Sequence, residues 1–154
     1  MDSNLKNLVN YKEISNLYID LSQTILKKIN FDSSSSDRQN QILYINCFEN
    51  SLFYLADHIY CVFSKNADEI KNLNFKYKWI ELSNFKSIKN IINKEIQSDG
   101  LIYDLEALKN QAIQREEIDQ LITSSQLNNL KKFKMILDKY KSFEELLRKT
   151  LDEC

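Results

Sequence analysis

No proline occurs in the 154 residues, and the one glycine is Gly100. At average usage a chain of this length carries roughly seven prolines and ten glycines. Tight hairpins and most β-turn types depend on those two residues. A chain nearly without them is confined to long helices joined by Ser, Asn and Asp connectors, and Gly-rich phosphate-cradling loops drop out of consideration. With 43% hydrophobic and 28% charged residues, the composition is that of a globular domain, long enough to bury one core of its own.

The longest apolar stretch, Gln41 to Phe63, places Ile45, Phe48, Leu52, Leu55, Ile59 and Val62 at steps of three and four. That is the period of a helix buried along one face. Leu43, Phe53, Ala56, Tyr60 and Phe63 widen the stripe, so this helix needs neighbours on more than one side. We expect an all-α fold: residues 1–154 as one bundle of five or six mostly antiparallel helices around a central helix at about 38–65.

In chain order, a first helix over 3–30 carries Leu5, Leu8, Tyr11, Ile14, Tyr18, Leu21 and Ile25 on its apolar stripe, with Asp2 or Ser3 as its cap. Residues 32–37, with the run Ser33 to Ser36, form the expected flexible loop. Ser36 or Asp37 then caps the central helix. Asn66 and Glu69 have the spacing of a capping pair for a short helix from Ala67. Phe75-Lys76-Tyr77-Lys78-Trp79 alternates aromatic and cationic residues. With no partner strand in sight, that period predicts an extended connector. The helical period resumes from Asn84 through Ile96 and stops at Gly100, which suits a left-handed C′ position. A helix over Leu101–Ile122 follows. Thr123 with Gln126 opens the next, and Ser142 with Glu145 marks either a separate short helix or a kink. Lysines dominate 71–94 and acids 95–119, so the segments flanking Gly100 have complementary faces when packed antiparallel.

Residues with reactive chemistry are few. His58 and Cys61 stand at i, i+3, but a structural zinc needs four ligands and this is the sole histidine. We expect no metal and no cofactor. Cys47, Cys61 and Cys154 show no paired spacing, and Cys47 and Cys61 on one helix are about 21 Å apart, too far to bridge. A reduced, cytoplasmic setting is expected. The N-terminus lacks a basic segment followed by an apolar core, so no signal peptide is expected. Asn46, Glu49, Asn50, Asp57 and His58 make the 41–63 stretch too polar to span a membrane. Adjacent carboxylates such as Glu116/Glu117 and Glu144/Glu145 diverge on a helix, so no acid/base pair is expected.

Two patterns are candidates for binding. Gln39, Asn46, Asn50, Asp57 and Ser64 fall within about 20–40° of one another at helical pitch. This line reads as a solvent-facing strip or as a partner-facing seam, with Phe53 inside it. Asn46, Asn50, Phe53 and Asp57 are the partner-binding candidates. The second pattern is Lys76, Tyr77, Lys78 and Trp79, whose rings and ammonium groups suit single-stranded nucleic acid, with the five lysines of 131–141 in support. The net charge of −1 supplies no global attraction to nucleic acid or membrane.

Around Lys109, the sequence LEALKNQAIQREE is similar to the active-site helix of HEPN domains, all-helical ribonucleases and toxins whose motif is Arg, often Asn next, and His a few residues on. The matching positions here are Lys109, Asn110 and Gln114. Both catalytic residue types are replaced, since Gln114 cannot transfer a proton, and His58 lies in another helix. The resemblance implies a non-catalytic member of that fold.

The function expected first is a non-enzymatic protein-interaction module of immunity, antitoxin or adaptor type, with a protein partner, a homodimer also in view, and no membrane. The alternatives are a nucleic-acid-binding helical protein and a degenerate HEPN-like domain.

Overall fold

The computed structural model describes residues 10–32, 34–114 and 126–152, side chains excepted at 114 and 126–129. Helix accounts for 80% of it, and no strand occurs among the described residues. The order is α1 (Tyr11–Leu26), α2 (Ser35–Ser64), a 3₁₀ turn (Asp68–Ile70), α3 (Phe75–Leu82), α4 (Lys89–Ile96), α5 (Leu101–Gln114) and α6 (Gln126–Asp152). The all-α bundle expected from the missing prolines and glycines is present. No helix among the described residues is long and apolar enough to cross a membrane.

α1 begins at an Asn10 cap, whose side chain accepts from the Glu13 N–H; the expected caps Asp2 and Ser3 lie outside the described residues. α2, at 30 residues the longest helix among the described residues, starts at a Ser34 cap. The serines therefore do more than connect. Ser34 accepts the Asp37 N–H, and Ser35 and Ser36 form the first turn. Asp37, expected as a cap, is buried instead, accepting from the Asn30 N–H and from Gln41 Nε2 at 2.9 Å. That carboxylate ties the α1–α2 connector to the bundle.

Contacts along α2 fix the directions of its neighbours. Asn30 meets Asp37, Ser15 meets Ser51 and Tyr11 stacks on Tyr54, so α1 runs antiparallel to it. α5 is also antiparallel, since Lys109 meets Glu49 while Arg38 donates to the carbonyls of Ala112 and Ile113. α3 and α6 run parallel to α2. Trp79 and Phe85 pack beside Leu52 and Tyr60, and Phe133 and Tyr140 beside Tyr44 and Ser51. α2 thus has neighbours on several sides, as its wide apolar stripe requires, although Leu43 of that stripe is 49% exposed. Val62, assigned to that stripe, is 56% exposed, because it lines an open cleft beside Leu147 and Leu151 of α6.

One polar node joins three helices in the core. Each hydroxyl of Ser15 and Ser51 reaches the other's carbonyl (2.9 and 3.0 Å), and the Tyr140 hydroxyl lies 2.7 Å from Ser51 Oγ. Two serines at the crossing let the backbones approach, and the shared bonds satisfy groups that would otherwise be orphaned in the core. Burial pushes the Tyr140 hydroxyl pKa up to about 12, against the opposing serine bonds.

Four local expectations are corrected. Residues 75–79 are helical, not extended. α4 starts at Lys89 rather than Asn84, after a run of turns. The left-handed residue before α5 is Asp99 (φ 68°), not Gly100. Gly100 is required for space: a Cβ there would sit 2.3 Å from the Glu95 carbonyl oxygen. The Ser142/Glu145 spacing marks no boundary, because α6 continues unbroken over 27 residues.

Candidate functional site

Asn74 decides the shape of the site. Its side chain accepts the Tyr77 N–H at 3.0 Å, which caps α3 and winds the aromatic–lysine run into a helix. At helical pitch the alternation no longer presents one face. Lys76 and Tyr77 turn outward, Tyr77 being 57% exposed, while Lys78 and Trp79 are fully buried. The three-ring stacking platform expected of this run is therefore not displayed. Trp79 instead donates to the Leu52 carbonyl at 3.1 Å and packs edge-on against Phe143.

Lys76 and Tyr77 face an open cleft of about 550 Å³ between α2, α3 and α5, lined also by Glu49, Asn74, Phe75, Glu106, Lys109 and Asn110. Residues singled out for separate reasons thus meet in one place: three from the aromatic–lysine run and two from the HEPN-like positions. Glu49 lies one helical turn from Asn46 and Phe53 on α2, so the polar line borders the cleft. Lys76 Nζ is 3.0 Å from Glu106 Oε2, and Lys109 Nζ is 3.1 Å from Glu49, donating to its Oε2. Glu49 Oε1 is out of solvent and accepts no hydrogen bond, although the same ammonium is beside it. The cleft therefore alternates sign and carries no excess positive charge.

The polar line itself is divided. Asn50 and Gln39 are exposed and Asn46 is half-buried. Farther along, α3 lies over the strip. Asp57 is buried, with Lys78 Nζ 2.7 Å from its Oδ1, and the same ammonium sits 3.2 Å above the centre of the Phe53 ring. Burial pushes the Asp57 carboxyl pKa up and the Lys78 ammonium pKa down, and their mutual attraction opposes both shifts. The expectation of an open strip fails at this end because a lysine from α3 fills it.

His58 lies about 13 Å along α2 from Glu49, in a separate cleft of about 280 Å³ floored by Leu55, Ile59 and Leu147 and edged by the Lys12–Glu144 ion pair. Burial, then the Lys12 cation, push its pKa down, which favours a neutral imidazole. Cys47 is buried, Cys61 half-buried, and burial pushes both thiols up, toward the unreactive protonated form. Among the described residues no three His, Cys, Asp or Glu side chains gather as a metal site. Of the 131–141 lysines, Lys139 is engaged by Asp104 and by the Asp99 carbonyl, whereas Lys131, Lys132, Lys134 and Lys141 are exposed. The side chain of Gln114 lies outside the described residues.

Sequence reasoning missed Glu49, Glu106 and the Lys78–Asp57 pair. The signal was present: Phe75, Lys78, Trp79 and Leu82 stand at steps of three and four, which puts Lys78 on the apolar stripe once α3 is read as a helix. No family model, curated protein or solved structure matches this chain.

Proposed function

We propose that the protein is a non-enzymatic protein-interaction module, and that its partner engages the α2–α3–α5 cleft together with the adjoining part of α2 at Asn46 and Asn50. The observation that carries this reading is the neutralisation of both cleft lysines by glutamates from other helices. Nucleic acid binds by replacing counterions with free lysine and arginine along a strand. A cleft whose cations are already matched offers little of that gain. An alternating-sign surface with an exposed Tyr77 and amides at Asn50, Asn74 and Asn110 instead has the polar and aromatic mixture that suits a protein surface. Burial holds both described cysteines toward the unreactive protonated thiol, which favours binding over nucleophilic chemistry.

The test is affinity capture from native lysate with nuclease added, comparing wild type with Tyr77→Ala/Asn50→Arg. A protein retained by wild type and lost by the variant supports the reading. A nuclease-sensitive catch, or a salt-dependent shift of single-stranded RNA abolished by Lys76→Glu/Lys109→Glu, contradicts it. A second reading, nucleic-acid binding by α6, rests on the exposed Lys131, Lys132, Lys134 and Lys141. Reversing those four charges, with the cleft intact, would then abolish the RNA shift.

A further inference from the structure

His58 follows Glu49 by nine residues on α2, about two and a half turns, so its cleft opens on the opposite side of that helix from the α2–α3–α5 cleft. Leu55, His58, Ile59 and Val62 stand there at i, i+3, i+4 and i+7. On the parallel α6, Glu144, Leu147, Arg148 and Leu151 repeat those steps. Between the two lines runs a groove about 10 Å long, with a volume of about 280 Å³. Leu55, Ile59 and Leu147 form its floor, each no more than 2% exposed, and Val62 and Leu151 form an apolar lip. That size and lining suit the apolar body of a small molecule.

The polar groups select the head group of such a guest. Tyr44 meets Phe133 and Ser51 meets Tyr140, both 89 residues apart, which fixes the register of α6 on α2. Arg148 is therefore level with Ile59, one residue from His58 at the middle of the groove. At one end Lys12 and Glu144 neutralise each other. Asp152 lies at the other end, level with Phe63 and about a turn beyond Arg148. Among the described residues His58 takes part in no hydrogen bond and Arg148 in no ion pair. Besides burial, the charge that pushes the His58 pKa down is the Lys12 cation, with no carboxylate opposing it. The middle of the groove is thus positive in potential and favours an anion.

We propose that the α2–α6 groove binds a small aliphatic monocarboxylic acid as its anion, the carboxylate held between the Arg148 guanidinium and the His58 imidazole and the chain lying on the floor of Leu55, Ile59 and Leu147. A guanidinium takes a carboxylate through two parallel N–H···O bonds. A neutral imidazole donates one more. Two helical turns of groove accommodate a chain of about six carbons. The α2–α3–α5 cleft takes no part, so this site stands or falls independently of the protein partner proposed there.

Proton NMR of the tag-free chain reads the site directly, because His58 is the sole histidine. Hexanoate should move the His58 ring signals saturably. Hexanol and hexylamine should bind about tenfold more weakly, since neither offers an acceptor for charge-assisted bonds from Arg148. Each methylene added between butyrate and hexanoate should tighten binding about fourfold. Arg148→Gln should bring hexanoate down to the level of hexanol and leave hexanol unchanged. Val62→Asp, at an exposed position, should lose both guests while circular dichroism keeps the wild-type helicity. No saturable shift at millimolar hexanoate would overturn the proposal. So would hexanol or hexylamine binding as tightly as hexanoate, or Arg148→Gln retaining wild-type affinity for it.

Discussion

Lysine meets carboxylate twice along one side of α2, at Asp57 and at Glu49, in opposite surroundings. The Lys78–Asp57 pair has side chains 0% and 6% exposed, whereas Lys109 of the Lys109–Glu49 pair is 42% exposed. Contact distances are similar, 2.7 and 3.1 Å. What differs is the water. In the cleft, solvent reaches the Lys109 ammonium, although Glu49 is only 15% exposed, and the pair contributes about 1 kcal/mol. In the core, both ions have lost their hydration, so the attraction does little more than offset that loss, yet removing one partner strands the other. The same chemistry thus holds α3 in register at one end and leaves exchangeable charges for a partner at the other.

Breaking the core pair gives the largest expected effect. Asp57→Ala leaves the Lys78 ammonium buried without a counter-charge and should cost about 3–5 kcal/mol in urea unfolding, followed through Trp79 fluorescence. Lys78→Met should cost less at acidic pH than at neutral pH. Burial already raises the Asp57 carboxyl, and without Lys78 opposing that shift its folded pKa rises further. The stranded carboxylate then takes up a proton as pH falls through that raised value, and stability returns. A loss independent of pH would mean that Asp57 is not held in a dry site.

The polar node sharpens the comparison with neutral groups. The Tyr140 hydroxyl is raised from its ordinary 10.0 to about 12, burial being the main cause. A raised folded value means that this contribution is fully present below pH 10 and is lost as pH climbs through 12. The loss should be roughly 2–3 kcal/mol, seen as alkaline unfolding that is shallower in Tyr140→Phe. Smallest of all, Lys76→Ala and Lys109→Ala should each change stability by less than about 1 kcal/mol while weakening partner capture. A larger stability loss there would assign the cleft lysines to the fold.

Architecture was legible because it depends on what is missing. Without proline and with glycine only at Gly100, the chain has little but helix available, and the α2 stripe marks the centre. Local misreadings came from competing signals. FKYKW has a period of two, but Asn74 supplies a cap and tertiary packing takes Trp79 and Lys78 inward. Gly100 looked like a left-handed position, whereas what requires it is the backbone of Glu95 five residues earlier, folded back by the α4–α5 turn, which no residue pattern announces. The cleft could be read only in parts. Lys76, Tyr77, Lys109 and Asn110 were singled out for unrelated reasons, and their convergence depends on α3 running parallel to α2 and α5 antiparallel, which no local pattern encodes.

The most direct test of this division between a structural pair and a surface pair is a matched set of double-mutant cycles by urea unfolding, Asp57/Lys78 against Glu49/Lys109, each residue replaced by alanine singly and together. The account predicts a coupling of several kcal/mol for the first cycle and less than about 1 kcal/mol for the second. Equal couplings, or a larger one in the cleft, would contradict it.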